Sequence, residues 1–362
     1  MTTLRRLSGG RSDGFRKIGL RATLLSGTLR PVMRLQTVLD LKADLRGRAT
    51  AQAVGLGALP NKSGMVKVAG TSLPLARSLG VILGIAPGGS ANDFRIAVRT
   101  TRLDQAVRQY VNTLGLITSG DIEQQHVGDI LAAPPIVGVV QPWQQRSRPI
   151  LPGCSVGHRY TTAGTIGAIV NKDGVMHVLS NNHVLALSAG VANDANHDDP
   201  IVQPGPYDGG AHPGDSIARL AKWVPLKAGV NYVDAALGAI DDNLPYDASY
   251  AGARLSGIAQ AQVGATVWKI GRTTGVTRGT ITAVALDDVP VGYNDQTLYF
   301  DNQTEIQGDS GLFSQGGDSG SLIVDADRNA IGLLFAGSTA RAKTYANPIE
   351  TVLQLVGGSL LS

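Results

Sequence analysis

Gly316-Gly317-Asp318-Ser319-Gly320-Ser321 places a serine on a tight glycine turn, and the apolar run Leu322-Ile323-Val324 follows it. Glycines at 317 and 320 let the backbone bend where a Cβ would clash, and such a bend can aim two N–H groups at one point beside the hydroxyl. That is what a nucleophilic serine requires. A Gly-Asp-Ser-Gly tetrapeptide also makes an ordinary turn, and the chain carries a second copy at Gly308-Asp309-Ser310-Gly311. Residues elsewhere must decide between them. His183 stands at the end of an apolar run in Val178-Leu179-Ser180-Asn181-Asn182-His183-Val184-Leu185, and Asp234 lies inside Asn231-Tyr232-Val233-Asp234-Ala235-Ala236-Leu237. A carboxylate in such a setting needs a partner, and the histidine is the natural one. Asp241 and Asp242 stand before Asn243 and Pro245, which reads as a solvent turn. Ser310 lacks a following buried strand, since only Leu312-Phe313 separates it from the next polar residues.

The order His183…Asp234…Ser319, with steps of 51 and 85 residues and the serine inside Gly-Asp-Ser-Gly, resembles the chymotrypsin/trypsin-like serine peptidases, more narrowly their disulfide-free bacterial branch. The likeness covers residues 155–362. The segment Val267–Ile281, containing Gly271-Arg272-Thr273-Thr274-Gly275, is similar to the opening hairpin of the second barrel in that branch. The resemblance implies a mainly β fold, a double six-stranded β-barrel. It implies that Ser319 attacks a carbonyl, His183 is the general base and Asp234 orients it. The N–H groups of Gly317 and Ser319 would form the oxyanion hole. Asp318 would fix that loop by pairing with a freed N-terminus or, in uncleaved relatives, with another cation. No Ile-Val-Gly-Gly activation sequence is present; Ser155-Val156-Gly157 is the nearest echo.

Gly332–Gly337 resembles the strand that pairs with bound substrate, which implies substrate contacts at Ala336 and Gly337. Phe335 stands where the family places a serine that supports the aspartate, so Asp234 is expected to have fewer partners. Phe313, six residues before Ser319, stands where trypsins carry an acid, so a preference for small or apolar rather than basic residues is expected. No cofactor or metal is implied.

The remaining chain must position these groups. Its 362 residues are 43% apolar, 17% charged and 5% aromatic, with 46 glycines, a composition of turn-rich globular structure rather than of long helices. The single cysteine, Cys154, excludes an intramolecular disulfide and reads as an inert buried thiol in a reducing, cytoplasmic setting. Residues 1–150 hold 20 Lys and Arg against 8 acids, a net of +12, whereas residues 151–362 hold 12 against 20, a net of −8. Two domains of opposite sign are expected, with docking of the basic one on the acidic one.

Residues 1–33 read as a basic flexible segment without the apolar core of a secretory signal. Leu35, Val38, Leu39 and Leu45 have helical spacing. Val81–Ile85, Phe94–Val98, the helical face Leu103–Leu114 and later short runs give strand, strand, helix, strand. Residues 34–131 are thus expected to be a small α+β sandwich that regulates or recruits. Prolines at 134, 135, 142, 149 and 152 mark a linker over 132–154, and the peptidase domain follows over 155–362. Gly84–Gly89 reads as a hairpin turn, His126 as a lone structural histidine, and Asn193–Pro200 as a solvated acidic loop rather than a calcium site. The expected partner is a protein or peptide substrate; no membrane is expected, and the basic tail lacks the aromatic ladder of a nucleic-acid binder. Two rivals stay open: a catalytically silent fold used for binding, and nucleic-acid binding through the basic half.

Overall fold

The computed structural model describes residues 32–51, 67–68, 71–72, 75–135, 141–186, 195–294 and 296–361. The basic segment 1–31 and Asp194 of the acidic loop lie outside them. The N-terminal elements follow the hydrophobic pattern. Helix α1 (Leu35–Ala51) buries Val38 and Leu45 against a sheet. Strands β1 (Val81–Pro87) and β2 (Phe94–Thr100) form a hairpin, with the turn closed by Gly88 N–H to the Asp93 carbonyl. Helix α2 (Gln105–Ile117), capped by the Asp104 carboxylate on Val107 N–H, carries the chain back to β3 (Ile122–His126), parallel to β2.

The next half curls as an open barrel. Strands β4 (Ser155–His158), β5 (Gly164–Thr165), β6 (Ala168–Lys172) and β7 (Val175–Ser180) lead into the short helix α3 (Asn182–Leu185). Strands β8 (Pro200–Val202), β9 (Ser216–Trp223) and β10 (Ala236–Ile240) complete it, in the order β6-β7-β10-β9-β8-β4-β5. The second barrel is closed. Strands β11 (Thr266–Gly271) and β12 (Gly275–Asp287) pair with each other, and a hairpin of β13 (Val289–Tyr293) and β14 (Gln296–Phe300) projects beyond them. Strands β15 (Gln303–Gly308), β16 (Leu322–Asp325), β17 (Asn329–Ser338) and β18 (Lys343–Pro348) close the ring as β11-β16-β17-β18-β15-β12. Leu322, Ile323 and Val324 are all buried, as an apolar run packed on both faces must be. Helix α4 (Ile349–Val356) buries Ile349, Val352, Leu353 and Val356 and stops at left-handed Gly357. Strand β19 (Ser359–Leu360) then returns to β6. The fold is mainly β and of the trypsin-like double-barrel kind, with the first barrel open.

The N-terminal elements are not set apart from this body. Strand β1 pairs antiparallel with β12 (Ile85 with Val284, Leu83 with Asp287), so the sheet of the closed barrel runs on into β2 and β3. Basic residues of the first half meet acids of the second. Arg46 reaches Asp287, Asp288 and Asp301 at 2.9, 3.1 and 3.0 Å, and Arg99 meets Glu305 with both side chains fully buried. The Pro-rich run is packed too: Ile150 is buried, and Trp143 lies against the cores of both barrels. Among the described residues, no helix is long and apolar enough to cross a membrane.

Candidate active site

His183 is the second residue of α3, directly after β7, and its surroundings are pinned by side chains. Asn181 Nδ2 donates to the Asp234 carbonyl at 2.7 Å, Asn182 Nδ2 to the Val224 carbonyl at 2.6 Å, and Thr161 Oγ1 to the Val184 carbonyl at 3.1 Å. Asp234 is fully buried. Its Oδ2 lies 2.6 Å from His183 Nδ1, and its Oδ1 accepts the His183 backbone N–H at 3.2 Å. A carboxylate oxygen accepts, so Nδ1 carries the imidazole proton and Nε2 keeps its lone pair.

Sequence reasoning missed one partner of this pair. Phe335, expected to leave Asp234 short of donors, is instead replaced in that role by Tyr293 of β13, whose hydroxyl donates to Asp234 Oδ2 at 2.6 Å. Phe335 packs on Phe300, with ring centroids 4.7 Å apart, and Phe300 lies beside Tyr293. Burial and the neighbouring Asp234 push the Tyr293 pKa well above its ordinary value, so it remains a donor at neutral pH. Asp234 N–H is also held, by Asn347 Oδ1 at 3.0 Å. Tyr293→Phe should therefore remove one hydrogen bond to a buried charge and lower kcat/KM about tenfold to hundredfold. Steady-state kinetics that match the unaltered protein would contradict that role.

Gly164 lies between the serine loop and the helix that carries His183. A Cβ on Gly164 would lie 2.5 Å from Val184 Cγ2 and 2.9 Å from the Ser319 carbonyl oxygen, so a larger residue would hold the helix and the serine loop apart. The loop itself is fixed from behind. Thr273 Oγ1 donates to the Gly316 carbonyl at 2.7 Å, and the Asp318 carbonyl accepts from Ser321 N–H and Oγ at 3.0 and 2.6 Å. In a planar trans peptide the N–H points opposite to the C=O. The Gly317 and Ser319 N–H groups are thereby turned away from these anchors, and neither has an acceptor among the described residues. Gly317 holds φ +95°, which a side chain would strain.

Asp318 is the post on which the loop is tied. Its Oδ1 accepts Thr273 and Thr274 N–H at 2.8 and 3.1 Å, and its Oδ2 accepts Thr274 Oγ1 at 2.7 Å and Gln315 N–H at 3.0 Å. The cation that the sequence left unnamed is Lys269 of β11, with Nζ 3.4 Å from Asp318 Oδ2 and both side chains fully buried. Burial lowers the lysine pKa against the opposing pull of Asp318. Ser155, the echo of an activation sequence, is elsewhere: its Oγ donates to Asp208, which Arg272 also binds.

A cleft opens beside Ser319, lined by Ser314, Gln315, Gly316, Leu334, Ala336, Gly337, Thr339 and Lys343. Ala336 and Gly337, the substrate contacts that the resemblance implied, are among these lining residues. Phe313 is not. It is buried among Val267, Ile281, Ile306, Ile323 and Leu334, and a Cβ on Gly279 would lie 2.8 Å from its ring. Its neighbour Ser314 faces the cleft instead. Ser310 sits on an exposed turn, remote in role from this arrangement.

The cleft also holds the chain's own residues. Leu131 N–H donates to the Gly337 carbonyl at 2.9 Å, and Gly337 N–H donates back to the Leu131 carbonyl at 3.0 Å. Ala132 N–H reaches the Gly292 carbonyl at 3.1 Å, and Ala133 lines the cleft with Ser319. A Cβ on Gly316 would lie 1.8 Å from the Pro134 carbonyl oxygen, so the segment passes where only glycine allows. Leu131 therefore forms one antiparallel bridge at the edge of β17, and Ala132–Pro134 run on past it beside the serine loop.

Other candidates lie outside this cluster. Cys154 is a buried free thiol whose pKa is raised by burial. His126 Nδ1 contacts the Thr100 carbonyl at 2.9 Å within the sheet. Asp199 of the acidic loop is occupied by His158 Nε2 at 3.2 Å and Asn196 N–H at 2.7 Å.

A family model described as the Nal1 C-terminal domain matches residues 251–350. No curated protein matches the chain. Among solved structures, a glutamic acid specific serine protease described as using a novel histidine triad in substrate binding is 21% identical. The match covers 59% of this chain and 100% of that one, with a TM-score of 0.42. Thermobifida fusca protease A is 17% identical over 59% of this chain and 98% of its own, TM-score 0.41. Cellulomonas bogoriensis chymotrypsin is 20% identical with the same coverages and TM-score. These structural neighbours are chymotrypsin/trypsin-like bacterial serine proteases.

Proposed function

We propose that the protein is a serine endopeptidase working by a Ser-His-Asp acyl-enzyme mechanism. Ser319 Oγ attacks the scissile carbonyl, His183 Nε2 takes its proton and later returns it to the leaving amine, and Asp234 with Tyr293 keeps the imidazole in the required tautomer. Gly317 and Ser319 N–H groups receive the oxyanion. The observation that carries this reading is the combination of one buried relay, His183–Asp234–Tyr293, with a serine loop whose carbonyls are tied back on the far side. The substrate is an extended polypeptide that adds to the edge of β17 at Gly337, as Leu131 does.

The same pairing supports a restraining role for the N-terminal half. Residues 34–131 end in the segment that lines the cleft at Leu131 and Ala133, so access requires that Leu131–Pro134 be displaced. The bond after Ala133 runs to Pro134, whose ring adds bulk at the leaving-group position and carries no N–H. A division into residues 34–131 and 155–362, with the basic part held on the acidic part, fits the Arg46 and Arg99 ion pairs. The lone buried Cys154 fits a cytoplasmic, reducing setting.

The test is incubation with an unfolded, fluorescently labelled protein, with mass spectrometry of the new termini. Internal cleavage that persists unchanged in Ser310→Ala is expected. Cleavage lost in Ser310→Ala, or confined to chain ends, would overturn the reading.

A further inference from the structure

The cleft beside Ser319 is lined by one charged side chain, and the reaction as described does not use it. Lys343, at the start of β18, lines the cleft with Ala133, Ser314 and Thr339. Its side chain is 6% exposed, and its ammonium has Glu305 Oε1 at 3.4 Å as its ion-pair partner among the described residues. That carboxylate is already engaged. Arg99 Nε lies 3.0 Å from each of its oxygens, Thr282 Oγ1 donates at 2.7 Å, and Tyr345 OH donates at 3.1 Å.

An ammonium has three donors, and charge-assisted hydrogen bonds are ordinarily about 2.7–2.9 Å long. One contact at 3.4 Å leaves Lys343 under-coordinated in a place where water is scarce. Charge counting makes the same point. Arg99 and Lys343 balance Glu305 and Glu123, yet both carboxylates converge on Arg99, at 3.0 and 2.6 Å, and the ammonium is the member that borders the cleft. Burying a cation in this way is unfavourable unless an anion completes it. Ser314 Oγ, which exchanges a 2.7 Å hydrogen bond with Thr344 Oγ1, is a second polar group on the same wall.

We propose that Lys343 is the specificity-determining residue of this cleft, and that the residue preceding the scissile bond is glutamate or aspartate. Its carboxylate completes the coordination of the Lys343 ammonium, with the Ser314 hydroxyl alongside. This rests on the peptidase reading for turnover, and it replaces the small or apolar preference expected when Phe313 was placed on the wall. Ala133, the side chain now in the cleft, occupies the position that the acidic side chain takes.

Two measurements separate this proposal from the peptidase reading. The first compares peptides that differ only in Glu or Gln before the scissile bond. The kcat/KM for Glu should exceed that for Gln about tenfold or more, and Lys343→Met should abolish the difference. The second needs no turnover and compares full-length Ala133→Glu with the isosteric Ala133→Gln. Ala133→Glu should melt higher by roughly 2 °C, and the gap should vanish in Lys343→Met. Should Lys343→Met not fold, the Glu–Gln gap alone, and its loss when the glutamate is protonated at low pH, gives the same reading. Equal cleavage of both peptides with equal melting of both variants would overturn the proposal. A melting gap without cleavage of any peptide would uphold the acid site and count against the peptidase reading.

Discussion

Asp234→Asn should lower kcat about 10⁴-fold while the protein stays folded. Isosteric amides often look conservative, and the local hydrogen bonds explain why this one is not. Oδ1 accepts the His183 backbone N–H, which cannot turn round, so the asparagine must place its carbonyl oxygen there. Its NH₂ then occupies the Oδ2 position, facing His183 Nδ1 and the Tyr293 hydroxyl. The hydroxyl can rotate to accept; the ring nitrogen can accept only by giving up its proton. The imidazole proton moves to Nε2, and the group that should take the proton of Ser319 is now blocked. Active-site-titrated kinetics measure this, with thermal melting as the control for folding. A loss smaller than about tenfold, with an unchanged melting temperature, would mean that His183 is not the base.

Lys269→Met should cost about 3–5 kcal/mol of stability, because it leaves the Asp318 charge buried without its cation. Thr273, Thr274 and Gln315 still donate hydrogen bonds to that carboxylate, so the lower end of the range applies where the loop holds. The melting temperature should fall by roughly 5–10 °C. Activity should fall further than stability, since Asp318 ties down the turn that aims the Gly317 and Ser319 N–H groups. The double variant Lys269→Met with Asp318→Asn should recover only part of the stability, because the uncompensated charge is removed while the new NH₂ at the Oδ2 position faces the Gln315 N–H. Equal melting of Lys269→Met and the unaltered protein would show that other groups, not Lys269, stabilise Asp318.

What the sequence made legible is local. His183, Asp234 and Ser319 each stand at or inside an apolar run, and such runs become buried strands whose ends meet at a cleft. The fold accordingly brings His183 and Asp234, 51 residues apart, to 2.6 Å. Helix α1 and the strand-strand-helix-strand order of the N-terminal half were legible through periodicity alone. The groups that complete the site were not. Tyr293 comes from a projecting hairpin 59 residues beyond Asp234, and nothing around it has a pattern that distinguishes it from a core tyrosine. Lys269 lies mid-strand, where a lysine normally alternates outward to solvent. Phe313 was misplaced for a different reason. Counting six residues back from Ser319 fixes sequence distance but not which side of the wall a side chain takes, and one residue's difference decides between the core and the cleft. The charge asymmetry between halves was legible as a number. Its meaning required knowing that β1 joins β12 and that Arg99 reaches Glu305.

The Leu131–Gly337 pairing was the least accessible of all, because a proline-rich run after a strand reads as a tether. The proposed restraint on access to Ser319 rests on this pairing.

The most direct measurement is labelling of the purified full chain with a fluorophosphonate probe, followed by peptide mapping of the modified residue. Ser319→Ala serves as the control, and Leu131→Pro, which deletes the N–H donated to Gly337, serves as the variant with a loosened segment. The account predicts a single adduct on Ser319, absent in Ser319→Ala and formed faster in Leu131→Pro. An adduct on Ser310, or no adduct on Ser319 even with the segment loosened, would contradict it.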